Sequence, residues 1–296
     1  MARAVSRRFS DGRLHLQDGP IDLIIEAFGA ANEVELAYRA AERRFATLLD
    51  ELCAELPLLR AETGASGRPT GVTAQRMFDV VSVHVGRGFI TPMAAVAGAV
   101  AEEILGAMTR EARLSRAYVN NGGDIALHLA PGARFAIGMV DRPDRPCLFG
   151  KAEIAADEDV RGIATSGRHG RSFSLGIADA VTVLAVTAAT ADAAATVIAN
   201  AVDLPGHPGI TRRPANHFDP QSDLGARLVT VAVAPLTGIE IARALSNGLT
   251  VAEELRAARV ILEAALHLNG QTRLTGVDRL TALRSGEELE VLHAVG

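Results

Sequence analysis

The spacing of hydrophobic and polar positions divides the chain into segments of period two and segments of helical period. VSRRFS and RLHLQ alternate on either side of Asp11-Gly12, a two-residue turn signal, and IDLIIEAF follows; residues 3–28 therefore predict a β-hairpin and a third strand. From Ala31 to about Glu62, Val34, Tyr38, Ala41, Phe45, Leu48 and Leu52 recur at helical spacing, and Pro57 should kink or end that helix. After the loop 63–71, Met77, Val80, Val81 and His84 predict a short helix over 73–85.

Thr91-Pro92 opens a further helix, with Thr as cap and Pro in the first turn. Along that helix Ala95, Gly98, Ala99 and Glu102 fall at i, i+3, i+4 and i+7, a small-residue stripe that lets another backbone approach. AYVNNGGDIALHL then predicts strand, tight turn, strand, with Gly122-Gly123 supplying the turn angles, and ARFAIGMV and CLFGKAEIA continue a mostly antiparallel sheet.

The densest stretch is 162–203: a polar loop, a strand from Ala180 to Val186, and an Ala-rich helix opening at Thr190. Beyond it, 204–225 reads as a long Pro/Gly-rich loop, LVTVAVAPL as a strand, and 238–247 and 250–268 as two helices. Hairpins mixed with helices, without strict βαβ alternation, indicate an α+β fold of mostly antiparallel sheets packed with helices, and the length allows one large domain or two modest ones.

Composition narrows the function. With 48% hydrophobic and 22% charged residues the chain supports a sizeable core, but at 4% aromatics and no Trp that core must be aliphatic. The net charge of −5 argues against nucleic acid as the main partner, since phosphate-backbone binders carry a basic excess. Cys53 and Cys147 share no metal-ligand or CxxC spacing and fit a reducing compartment. With no signal-like apolar run and no membrane-span-length stretch, the expectation is a cytoplasmic protein without membrane association.

Three constellations could carry chemistry. Asp192 and Thr196 lie one helical turn apart and so share a face; as hard oxygen donors they suit Mg²⁺, and a helix start favours a nearby phosphate. The ordinary alternative is that both merely serve their own helix. In NNGGD, Asn121, Gly122, Gly123 and Asp124 could meet a ribose or a ring edge, or form a hairpin turn chosen for its backbone angles alone. In TSGRHGRSFS, Thr165, Ser166, Gly167, Arg168 and Arg171 could cradle an anion, or form a solvated loop. His84, His128, His207 and His217 form no metal-binding pattern, and no GxSxG elbow, P-loop or strand-GxGxxG-helix fingerprint is present.

The order of these motifs is itself informative: AVAGAVAEEI, VNNGGDI, IATSG, a VTV strand and ADAAAT, spread over residues 89–203, resemble the ApbE family of FAD:protein FMN transferases. The rest of the chain resembles an uncharacterised ApbE-like branch in which GRSFSLGIADAVTV and SDLGARLVTV are also typical. The resemblance implies a single ApbE-like domain over 1–296 with a C-terminal helical segment at 238–268, and a flavin nucleotide as ligand. It implies Mg²⁺ held by Asp192 and Thr196, with the Gly-Gly-Asp turn and Thr-Ser-Gly segment lining the nucleotide site. The implied activity is FAD cleavage, passing FMN to an acceptor protein or to water; the alternative is a non-catalytic FAD or nucleotide binder on the same scaffold. Ala97 and Ala99 stand where the family has Lys and Tyr, and GRSFSLGIAD replaces its Ser-His-x-x-Asp-Pro segment, so Asp179 or His169 would have to supply the catalytic acid or base. Asn216-His217-Phe218-Asp219-Pro220 looks like the missing segment but follows the ADAAAT helix, and no role is carried over to it.

Overall fold

A computed structural model describes residues 4–65, 67–140, 148–276 and 279–282. The N-terminal strands β1 (Val5–Arg8), β2 (Leu14–Asp18) and β3 (Ile21–Phe28) form as the alternation predicts, and β3 buries every second residue. Helix α1 (Ala31–Ala54) ends short of the expected limit, and Pro57 sits in the first turn of a separate helix, α2 (Leu56–Leu59), where its missing N–H costs nothing. Helix α3 covers Val72–Ser82, and a 3₁₀ turn at Pro92–Ala95 leads into α4 (Val96–Glu111). Thr91 precedes that 3₁₀ turn without capping it; its hydroxyl donates instead to Asp223.

Strands β4 (Arg116–Asn121) and β5 (Asp124–Leu129) flank Gly122 and Gly123, whose φ of 66° and 109° form the expected tight turn. They are followed by β6 (Arg134–Val140), β7 (Leu148–Ala155), β8 (Gly162–Ser166) and β9 (Ala180–Ala185), then α5 (Ala188–Ala201). Cys147, at the start of the expected seventh strand, lies outside the described residues. The cap of α5 is Thr187 rather than Thr190: its side chain accepts the Thr190 N–H at 3.2 Å.

Two expectations fail in the C-terminal third. The segment 204–225 is not one loop, because β10 (Ile210–Pro214) lies within it and pairs antiparallel with β11 (Leu228–Val233). Of the expected helical segment 238–268, only α6 (Gly238–Ala257) is helical, as one continuous helix; Glu263–Leu268 is strand β12, every residue buried, followed by β13 (Gln271–Leu274) and β14 (Leu280–Ala282). An all-buried strand has no alternation, which is why EAALHL passes for helix.

The main sheet runs β1-β2-β3-β4-β5-β8-β9-β12-β13, and every neighbouring pair is antiparallel. Helices cover one face. Leu23, Ile25, Val119 and Ala126 pack there with α1, α3 and α4, and Ala164, Val181, Val183 and Leu266 with α5 and α6. The small sheet β14-β7-β6 covers the other face through Tyr118, Leu127, Ile163 and Leu184. This α+β sandwich assigns side chains by register: successive residues of a strand point to opposite faces, so Asn121, Asp124 and Ser166 fall on the helix side with Val119, Ala126 and Ala164.

Candidate functional site

Two glycines seat the start of α5. A Cβ at Gly98 would collide with the Ala188 carbonyl, and one at Gly162 with the backbone of Thr187 and Ala188, so α5 begins wedged between α4 and β8. Glu102, from the same stripe of α4, accepts the Ala189 N–H at 2.7 Å and so satisfies an unpaired donor of the first turn of α5. The small-residue stripe expected from the sequence is this crossing. It carries Asp192 to the start of α4, where its Oδ2 accepts the Gly98 N–H at 3.0 Å.

Around Asp192 the register gathers the other groups. Asp124 opens β5 and accepts the Thr165 N–H at 3.3 Å through Oδ1. Ser166 ends β8 with its hydroxyl 3.2 Å from that of Thr196, one turn along α5 from Asp192. Asn121 is buried and donates to the Ala97 carbonyl at 3.3 Å, tying the end of β4 to α4. Gly123 N–H is held by Asn120 Oδ1 at 2.8 Å. Arg171 rests its guanidinium against Gly122, where any side chain would collide with it, and makes no ion pair among the described residues.

Both carboxylates are shifted upward. Burial pushes Asp192 above its usual range, to about 7, against the pull of the Gly98 and Ala97 N–H groups. Asp124 is pushed well above its own range, by burial first and by the neighbouring Asp192 charge second; the Thr165 N–H and Arg171 oppose the shift. Two carboxylates held together in a low-dielectric site favour a shared proton or a cation between them. With the Ser166 and Thr196 hydroxyls, every donor here is a hard oxygen. No group of three or more His, Cys, Asp or Glu side chains arranged to hold a metal occurs among the described residues. The set therefore suits an ion that completes its shell with water or ligand oxygens.

The sequence-predicted residues divide into two groups. Asn121, Gly122, Gly123, Asp124, Ser166, Arg171, Asp192 and Thr196 converge on this site. Thr165 contributes its N–H, while its hydroxyl meets Thr182 at 2.9 Å on the opposite face of the sheet. The others form a second cluster. Asp179 receives Arg168 Nη2 at 2.7 Å, His169 Nε2 at 3.2 Å and the Asn269 N–H at 2.6 Å. Gly167 lets the chain pass so close to the Asp179 carbonyl that a Cβ would collide with it. The Arg168 guanidinium is thus directed to Asp179, and of the two loop arginines Arg171 is the one at the acidic pair.

Sequence reasoning missed that Asp124 faces Asp192. The signal was available: Asp124 shares the parity of Ala126 in β5, and Gly98 marks where the helix carrying Asp192 crosses α4.

An all-antiparallel α+β sandwich with an acidic pair at the helix–sheet junction, Asp192 buried and Asp124 half-buried, is the class of protein that fold and site define. The chain belongs to the family described as AbpE bacteria, which matches residues 6–274. It is 44% identical over 112 residues to a UPF0280 protein of Methanopyrus kandleri, covering 38% of this chain and 43% of that protein. Over 125 residues it is 39% identical to a UPF0280 protein of Methanosphaerula palustris, covering 41% of this chain and 49% of that one. The chain thus matches less than half the length of these relatives. The apo form of the flavinyl transferase ApbE of Pseudomonas stutzeri is similar with a TM-score of 0.46 and 12% identity, over 94% of this chain and 93% of that one. No described helix is long and apolar enough to cross a membrane.

Proposed function

We propose that this protein binds a flavin dinucleotide and, with Mg²⁺, cleaves its pyrophosphate, handing FMN to an acceptor hydroxyl or to water and releasing AMP. The observation that carries this reading is the pairing of Asp124 with Asp192 beside the Ser166–Thr196 hydroxyls and Arg171. Membership in a family whose model matches residues 6–274 supports this reading.

The donor set fits Mg²⁺: Asp192, Thr196 and Asp124 would hold it, with Ser166 orienting Thr196. When bound, the ion supplies charge neutralisation at the pyrophosphate oxygens. The remaining work falls to the chain's own residues. Arg171 places a positive charge at the Gly122-Gly123 turn, where the absence of side chains permits a phosphate to approach the backbone. Gly98 and Ala97 N–H groups fix one edge of Asp192, so the carboxylate presents a constant orientation. Asp179 orients His169 on the loop that also carries Arg171, and a proton at the acceptor or leaving oxygen would fall to His169 if ligand binding brings that loop to the acidic pair. Ala99 is fully buried in the core and offers the nucleotide nothing, so recognition rests on the loop 167–172 and the turn 122–124.

The test is to incubate the protein with FAD and Mg²⁺ and resolve the products by chromatography. AMP and FMN should appear in equal amounts and vanish with Asp192→Ala. Retention of intact FAD by the wild type would instead favour the non-catalytic binder, and failure to bind FAD would remove both.

A further inference from the structure

Outside the acidic pair, the structure concentrates exposed aromatic surface at one place. The chain has nine Phe, two Tyr and no Trp, so each ring left in solvent forgoes core packing that few other residues can supply. Yet Phe173 and Phe218 are 40% and 49% exposed and lie together, ring centroids 5.8 Å apart and tilted by 42°. His217 stands edge-on to Phe218 at 5.2 Å.

The pair joins two segments that the sequence separates. Phe173 lies two residues beyond Arg171, so its backbone is within about 7 Å of that of the arginine resting on Gly122. Phe218 belongs to the loop between β10 and β11. That loop is fastened in several ways: Asn216 N–H donates to the Gly225 carbonyl at 2.8 Å, Asp223 receives the Thr91 hydroxyl, and Arg227 stacks 3.2 Å from the centroid of Phe89. Thr230 N–H donates to the Ser174 carbonyl at 2.8 Å, which locks the ribbon to the segment carrying Phe173. The two rings are therefore presented on anchored backbone rather than on a free tip. The position fits a ligand with a charged phosphate end and a flat aromatic end, because positive charge and aromatic faces adjoin there.

We propose that Phe173 and Phe218 form the stacking platform for the planar heteroaromatic ring of the dinucleotide whose pyrophosphate sits at Arg171 and the acidic pair. This deepens the function proposed above and rests on it for the pyrophosphate site. It also gives a role to the 215–220 segment: it completes the ligand site from beyond α5 with an aromatic face.

Calorimetry tests this with Mg²⁺ present, using FAD, NAD and ADP-ribose as ring-bearing probes and inorganic pyrophosphate as the ringless one. For Phe173→Leu and Phe218→Leu, affinity for the ring-bearing ligand should fall about tenfold. Pyrophosphate affinity and thermal stability should hold, and Phe218→Tyr should restore binding. If NAD or ADP-ribose binds in place of FAD and shows the same loss, the flavin reading fails while the platform stands. Unchanged affinity in both leucine variants overturns the platform, as does equal loss of pyrophosphate binding, which marks a merely structural contact. Absence of binding by every ring-bearing probe overturns it as well.

Discussion

Asp192 and His84 titrate in opposite senses and should be separable. Asp192 is raised from 3.8 to about 7 by burial, so its neutral form stabilises the metal-free fold; that contribution is complete below pH 3.8 and is lost as pH rises through about 7. Asp192→Asn keeps an acceptor for the Gly98 N–H and removes the charge. Metal-free denaturant titrations between these limits should therefore show the wild type losing stability relative to the variant as pH rises. His84 is fully buried with neither ring nitrogen partnered, and burial lowers its pKa from 6.5 to about 4. Its contribution is present above pH 6.5 and is lost as pH falls through about 4, so His84→Leu should flatten the acid limb of the same curve. At Gly122, alanine would both force φ of 66° on a residue with a Cβ and displace Arg171. Gly122→Ala should lower pyrophosphate affinity at least several-fold, while Gly132→Ala, at a positive-φ turn with open space, controls for backbone strain.

At the scale of elements, the site depends on how closely α5 approaches α4 and β8. Gly98→Val would drive a branched side chain into the Ala188 backbone, which cannot yield as a flexible side chain would. The expected cost is about 1–3 kcal/mol in equilibrium unfolding, together with weaker metal binding because Asp192 moves with α5. The same scale shows what was legible beforehand. Strands β2 and β3 and the β4–β5 hairpin were readable because one face is buried against helices and the turn residues are unambiguous. The stripe from Ala95 to Glu102 was readable because it needed only helical spacing. Strand β12 was not, since burial on both faces erases the period-two signal. Strand β10 was hidden by the Gly and Pro residues around it and is defined by pairing with β11, a contact that no local pattern encodes. The cap of α5 was misplaced by one turn because Thr187 and Thr190 are both eligible, and the fold selects the residue at the β9–α5 junction.

For the molecule as a whole, the all-antiparallel sheet brings the ends of β4 and β8 and the start of β5 together beside α5 and the start of α4, and the small sheet β14-β7-β6 covers the opposite face. Of the candidate site, the residue types and most positions could be read from the sequence. Their division into an acidic pair with Arg171 and a separate Asp179 cluster could not, because it depends on strand register. If Asp124 and Asp192 share one cation, its binding must displace the protons they hold. Mg²⁺ titrated into the protein by calorimetry at about pH 6, in buffers of different ionisation enthalpy, should release protons, because binding requires two carboxylates whose pKa values are raised to ionise. Release should disappear and affinity fall in both Asp124→Asn and Asp192→Asn. Mg²⁺ binding without proton release, or binding that either substitution leaves intact, would show that the two carboxylates do not share the ion.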